Sequence, residues 1–333
     1  MENIKKLFTV TTSPNIKTPD STKSIMLTVI FALLAPGIMS VVFFGLRPLI
    51  IILVSVVSCV AFEALYCLIM KKKLSIGDFS AVVTGLLLAY VLPQSVPYWL
   101  PVVGSFFAII IVKMLFGGLG HNIVNPALAA RAFLMSWPVL MTTFPAVFSE
   151  LSAGFINTAD VVTSPTTLVA LEAGPSNPLL VSLGDLFIGQ AGGCIGETSS
   201  LFLIIGFVIL LVRKVITWHT PVFYVGTVAL VTFIFPMYGF SNLDFMLYNV
   251  LSGGLLLGAI FMATDYVTSP VTKRGKVLYG IGCGLLTVFI RYFGNNPEGV
   301  CYSILIMNVL AGYFDKITLP KRYGTGGGAV NVK

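Results

Sequence analysis

Apolar runs, broken by short stretches of Pro, Gly, Lys and Arg, fill most of this chain. A helix that crosses a bilayer needs about 20 predominantly apolar residues. The runs predict about ten such helices, near 25–45, 48–70, 79–92, 99–116, 126–144, 198–218, 220–238, 246–263, 277–293 and 298–316. The third is short, because Pro93 stops it and Pro97 and Pro101 follow; proline lacks the amide donor and clashes with the preceding turn. The pattern predicts an all-α polytopic membrane protein, not a soluble enzyme and not a single-span anchor.

Composition strengthens that expectation. Of 333 residues, 56% are hydrophobic and 10% charged, against about 25% charged in ordinary soluble domains. Mean hydropathy is +0.96. So apolar a chain cannot cover its own surface, and lipid must act as solvent for much of it. The five cysteines, Cys59, Cys67, Cys194, Cys283 and Cys301, are scattered without a CxxC pair, so the spacing supports neither a zinc site nor an iron–sulfur ligand set. No strand-linked GxGxxG nucleotide fingerprint is present either.

The net charge of +7 raises the question of nucleic acid, but its distribution speaks for membrane topology instead. With the N-terminus inside, the inner segments carry Lys5, Lys6, Lys17 and Lys23, then Lys71, Lys72 and Lys73, then Arg213 and Lys214. They continue with Lys273, Arg274 and Lys276, and finally Lys316, Lys321, Arg322 and Lys333. The outer segments hold Arg47 and, near a helix end, Arg291, and no Lys or Arg lies between Arg131 and Arg213. That interval holds a long loop with Glu150, Asp160, Glu172, Asp185 and Glu197. The expected organisation is a cytoplasmic tail at 1–24, without a small-residue cleavage site after it, a five-helix half at 25–144, and an extracytoplasmic loop at 145–197. A second five-helix half at 198–316 and a cytoplasmic tail at 317–333 complete it.

Five helices per half means that the second half enters the membrane upside down relative to the first, the inverted-repeat plan. Thr84-Gly85-Leu86-Leu87-Leu88-Ala89 resembles Gly253-Gly254-Leu255-Leu256-Leu257-Gly258 at an offset of 169 positions, and Asn125-Pro126 matches Asn296-Pro297 at an offset of 171. Gly-Leu runs are also common in membrane helices generally. Asn followed by Pro is a helix-start signal, since Asn caps and Pro at the first turn lacks only an unpartnered N–H. Such an N-terminus presents free N–H groups to a phosphate or a ring carbonyl.

Several blocks go beyond generic membrane pattern: Gly117-Gly118-Leu119-Gly120-His121-Asn122-Ile123-Val124-Asn125-Pro126-Ala127-Leu128-Ala129-Ala130-Arg131, Asp160-Val161-Val162-Thr163-Ser164-Pro165-Thr166-Thr167-Leu168 and Gly193-Cys194-Ile195-Gly196-Glu197-Thr198-Ser199. Met262-Ala263-Thr264-Asp265-Tyr266-Val267-Thr268-Ser269-Pro270 and Phe293-Gly294-Asn295-Asn296-Pro297-Glu298-Gly299 follow. Together, over nearly the whole chain, these resemble the D subunit of Rnf-type ion-translocating ferredoxin:NAD oxidoreductase complexes, and the related B subunit of sodium-pumping NADH:quinone reductase.

The resemblance implies a membrane flavoprotein in the cell membrane that carries electrons within an ion-pumping oxidoreductase complex and is not catalytic alone. It implies FMN held by a phosphoester to a threonine, attached by a separate flavin transferase outside the cytoplasm. The motif has the form Asp-x-x-[Ser/Thr]-Gly-Ala-Thr, so Asp160 and Thr163 match and Thr166 is the acceptor. Ser164 and Pro165 depart from the usual Gly and Ala, and Thr167 offers a second hydroxyl. An exposed outer-loop hydroxyl is the kind a transferase reaches. The resemblance further suggests a second, non-covalent flavin (riboflavin) near the inner face, where Asn122, Asn125 and Asp265 stand at helix ends; the same residues serve equally as caps and loop positions. Expected partners are the other subunits of the complex, among them an extracytoplasmic-facing flavoprotein, and the lipid bilayer, with no nucleic acid.

Charges inside spans are expensive. Glu63 and Lys113 fall in the inner halves of their helices and suit an ion pair, and Arg131 suits the charge of a flavin or its phosphate. From another class, a small-solute channel or transporter of inverted-repeat fold also fits the helix pattern. The outer-loop threonine motif, for which a channel has no use, separates the two.

Overall fold

A computed structural model describes residues 21–144, 165–197, 199–294 and 298–319. Among them every regular element is helical, and the one extended pairing is an isolated bridge between Pro93 and Cys194. The first half comprises α1 (Thr22–Phe44), α2 (Arg47–Ile69), α3 (Ser80–Tyr90), α4 (Trp99–Phe106), α5 (Pro126–Leu134) and the short α6 (Pro138–Met141). A second layer of short helices follows, α7 (Thr167–Glu172) and α8 (Leu183–Ile188). Then come α9 (Ser200–Val212), α10 (His219–Ile234), α11 (Asn242–Leu251), α12 (Leu255–Leu257), α13 (Lys273–Phe293) and α14 (Val300–Thr318).

Four helices, α1, α2, α13 and α14, are each long and apolar enough to cross a membrane. Outward-facing side chains such as Phe31, Ile38, Val57, Leu230 and Phe289 are apolar, while Ser40, Ser55, Thr232, Thr287 and Ser303 are buried. This is the reverse of a soluble protein's distribution. Hydrocarbon cannot satisfy these hydroxyls, so they bind backbone of their own helix, as Ser40 does to the Gly37 carbonyl at 2.7 Å, or groups across helices: Ser55 Oγ donates to the Gly85 carbonyl at 2.8 Å, and the Tyr224 hydroxyl lies 2.7 Å from Thr287 Oγ1. The chain is a polytopic helical membrane protein.

The lysines gather at one set of helix ends. One end, here the basic end, carries Lys23, Lys71, Lys72, Lys73, Arg213, Lys214, Lys273, Arg274 and Lys276. The other, the acidic end, carries Glu172, Asp185 and Asp244 together with the second layer, where Leu168, Leu171, Leu186, Phe245 and Tyr248 form a core of their own.

The helices differ in detail from the apolar runs. The run at 246–263 is not one straight helix: α11 ends at Leu251, Ser252-Gly253-Gly254 intervene, and the following helix, which runs through Met262, is bent 59° from α11. Gly253 and Gly254 have φ of 67° and 65°, the left-handed region that glycine enters without penalty. Residues 246–251 thus belong to the second layer, held there by Phe245 and Tyr248. The run at 126–144 ends as α5 at Leu134, and the run at 198–218 is helical over Ser200–Val212. α4 and α12 continue as wider π-helical turns over Phe107–Met114 and Gly258–Met262, a geometry frequent at functional sites.

Candidate functional site

At the acidic end Thr166 occupies the N-cap position of α7, with extended backbone. The expectation of an exposed acceptor hydroxyl is corrected here: Thr166 is 8% exposed, and its Oγ1 is buried without a hydrogen-bond partner. The cause is the second layer, in which α7 turns Leu168 and Leu171 into a packed apolar cluster and draws Thr166 in with them. Asp160 and Thr163 lie outside the described residues.

Two concavities meet at Thr166. A groove of about 1070 Å³ of free space, its open mouth included, is lined by Met135, Met141, Phe144, Val169, Glu298 and Tyr302 as well as Thr166. A smaller one of about 340 Å³ adds Thr167, Gly193, Glu197, Ser252 and Gly253. Thr167 borders only the smaller one and is 4% exposed.

Behind Thr166 sits a cluster that the charge pattern did not reveal. Arg131 Nη2 is paired with Glu298 Oε2, and it lies 3.6 Å from Cys194 Sγ. Glu197 Oε1 accepts from the Cys194 N–H at 2.8 Å. A Cβ on Gly254 would stand 2.7 Å from Glu197 Oε2, so the glycine pair that breaks the helix also makes room for this carboxylate. Cys194, Glu197 and Glu298 place ligand atoms within 4.8 Å of one another. Beside them Arg291 Nη1 donates to the Asn249 carbonyl at 2.6 Å and Nη2 to the Ser252 carbonyl at 3.2 Å, closing the C-terminus of α11. Glu197 and Glu298 stood in blocks singled out for their motif character, but spacing assigned them no role.

The remaining predicted residues gather at the basic end. Asn125 caps α5 as its sequence announces, its Oδ1 accepting from the N–H groups of Ala127 and Leu128 at 3.0 and 3.4 Å. Its Nδ2 donates to the Met262 carbonyl at 3.4 Å, tying the two halves together. Asn122 is 9% exposed, and its Oδ1 is buried without a partner. Asp265 accepts from Thr268 Oγ1 at 3.0 Å. Burial pushes the Asp265 carboxyl above its ordinary range, against the Thr268 hydroxyl and the Val267 and Tyr266 backbone groups that hold it down. Asn122, Asn125 and Asp265 line one cavity of about 780 Å³ of free space, open mouth included, walled by α1, α3 and the π-helical turns after α12. Lys113 lines it too, and the expected ion pair is present: Lys113 Nζ donates to Glu63 Oε2 at 2.7 Å. Arg131 is not among this group; it belongs to the acidic-end cluster.

Between the two ends lies a small void of about 310 Å³ lined by Tyr90, Arg131, Glu197, Gly258, Met262 and Glu298. Glu197 and Glu298 border both this void and the Thr166 concavity. Met262 borders the void, and its carbonyl holds Asn125 in the basic-end cavity.

These features define a class: a polytopic membrane protein with a secluded hydroxyl at one end, a polar-lined cavity at the other, and buried charge between them. The chain belongs to the NQR2, RnfD, RnfE family, whose pattern it matches over residues 9–324. It is 46% identical over 320 residues to the D subunit of the Na(+)-translocating ferredoxin:NAD(+) oxidoreductase complex of Acetobacterium woodii, covering 95% of each chain. It is 40% identical over 330 residues to the D subunit of the proton-translocating ferredoxin:NAD(+) oxidoreductase complex of Clostridium ljungdahlii, covering 96% of this chain and 97% of that one. With the D subunit of the ion-translocating oxidoreductase complex of Stutzerimonas stutzeri it shares 37% over 331 residues, covering 91% and 92%.

Proposed function

We propose that this chain is the membrane flavoprotein subunit of an ion-pumping ferredoxin:NAD oxidoreductase complex, carrying electrons across the membrane through FMN esterified to Thr166. The observation that carries the reading is the Thr166 hydroxyl itself, buried and without a partner at the edge of a large, mostly apolar groove. Left bare, such a group forfeits about 1–3 kcal/mol; a phosphoester would occupy it. Thr166 is preferred to Thr167 because it alone of the two borders that groove. The names of the relatives supply the complex.

Bound flavin supplies reversible electron chemistry, and the protein supplies binding, orientation and electrostatics. Met135, Met141, Phe144 and Val169 give the groove an apolar wall, and Arg131 supplies positive charge behind it. At the basic end Asn122 Oδ1 offers an acceptor to a second, non-covalent flavin (riboflavin), with Asn125 and Asp265 beside it. The chain spans the bilayer about ten times as two inverted halves. In support, α3 and α12 both start from a left-handed residue, Phe79 at φ 61°, ψ 10° and Gly254 at φ 65°, ψ 12°. A cation from the next long element attends each start: Lys113 bonds Ser80, and Arg291 bonds Ser252. The lysine-rich end, with both termini, faces the cytoplasm of the cell. The acidic end therefore meets a flavin transferase during maturation and an extracytoplasmic-facing flavoprotein subunit in the complex.

Thr166→Ala tests the attachment. The variant is expected to insert in the membrane yet lose all flavin fluorescence that survives denaturation, and peptide mass spectrometry of the unaltered protein should place FMN on Thr166. FMN on Thr167, or fluorescence retained by the variant, overturns the assignment.

A further inference from the structure

The buried ion pair at the basic end has a donor to spare. Lys113 is 2% exposed and Glu63 0%. An ammonium carries three N–H donors. One of Lys113's goes to Glu63 Oε2 at 2.7 Å and one to Ser80 Oγ at 2.6 Å, which leaves the third without a partner among the described residues. Glu63 is fully engaged, its Oε1 accepting from the Ser75 hydroxyl. The Ser80 hydroxyl in turn donates to Asp78 Oδ1 at 2.7 Å.

Lys113 also lines the basic-end cavity, where the Asn122 Oδ1 is likewise unpartnered. The wall thus offers one free charged donor and one free acceptor, the complement of a heterocycle edge that alternates carbonyl and N–H. A purely structural pair would be expensive here, since the hydration both ions lose on burial is offset only when their remaining donors and acceptors are met. The widened π-helical turns Phe107–Met114 carry Lys113 at this wall.

We propose that Lys113, held by Glu63, is a positioning residue that sets the redox potential of a flavin ring in this cavity. The inference rests on the second-flavin reading above. A ligand that takes up two electrons from neighbouring carriers of the complex and one proton gains one negative charge. The Lys113 ammonium stands where that charge is met, and the Glu63 carboxylate moderates it. Asp265, on the same cavity wall, acts in Glu63's direction.

The test uses the purified complex carrying Lys113→Gln or Glu63→Gln, with two readouts: extraction of non-covalent flavin, and spectroelectrochemical titration of that flavin. Lys113→Gln is expected to lower the reduced-to-oxidised ratio at fixed applied potential about tenfold, or about 30 mV for a two-electron couple. Glu63→Gln is expected to raise the ratio, because it leaves the ammonium unmoderated. Opposite signs from the two neutral substitutions are what a merely structural pair would not produce. If Lys113→Gln fails to assemble or loses the ring, the rise in Glu63→Gln carries the proposal and an unmoved ratio there overturns it. Shifts of the same sign, or none in either variant with the flavin retained, overturn the proposal but leave the second flavin standing. A wild-type complex that yields no non-covalent flavin overturns both.

Discussion

Arg131 faces two carboxylates from one guanidinium, in a pair whose side chains are each 10% exposed. Breaking a buried pair by removing one partner typically forfeits about 3–5 kcal/mol, because the other charge is left uncompensated. Arg131→Gln should therefore lower the thermal stability of the detergent-purified protein by about 3 kcal/mol. Adding Glu298→Gln to it should return more than half of that loss, and a double-mutant cycle measures the coupling; a double variant whose loss equals the sum of the two single losses would show the two side chains to be independent. At this scale the sequence is unevenly legible. Asn125-Pro126 announces its own cap because both partners lie within three residues of it. The partner of Arg131 lies 167 positions away, and no local rule reaches that far.

Gly85 shows why α3 packs so closely on α2. A Cβ there would lie 2.7 Å from Val56 Cα and 3.1 Å from the Ser55 carbonyl oxygen, both backbone atoms of α2. Small residues that let two backbones approach are a principal means of helix association in lipid, where no hydrophobic drive separates helix from solvent. Gly85→Ala is expected to force α2 and α3 apart, break the Ser55 Oγ to Gly85 carbonyl bond, and destabilise by about 1–3 kcal/mol. Thermal unfolding in detergent reads the change; an unchanged midpoint would mean that α2 yields freely. The apolar runs located these elements well, and Pro93 marked the end of α3 within a few residues. They missed the break at Ser252-Gly253-Gly254, since a run of apolar residues reads the same whether it is straight or bent by backbone that only glycine tolerates. They also missed the π-helical turns, which differ from α-helix in hydrogen bonding and not in composition.

Across the whole molecule the prediction concerns which end faces the cytoplasm. All five native cysteines are buried, so single cysteines placed at the exposed positions Ser176 and Lys72 report on the two ends. In intact cells a membrane-impermeant thiol reagent should label the Ser176→Cys protein and leave Lys72→Cys unlabelled until the membrane is opened. The reverse pattern would invert the topology and remove the argument for attachment of FMN outside the cytoplasm. The basis for the expected outcome is the lysine bias, which acts on each segment as it meets the membrane. That is also why so much was legible in the sequence by itself: whether a segment enters lipid depends on its own length and hydrophobicity, and the expected orientation on the lysines and arginines of the loops that flank it. Tertiary structure decided the rest. It buried Thr166 beneath a second layer that the loop composition did not foretell. It set Lys113 on Glu63 across 50 positions, and it drew Arg131, Cys194, Glu197 and Glu298 into one cluster behind Thr166 at the acidic end. Such meetings depend on how closely helices pack and where a backbone bends, and those depend on the volumes of side chains that are neighbours only after folding.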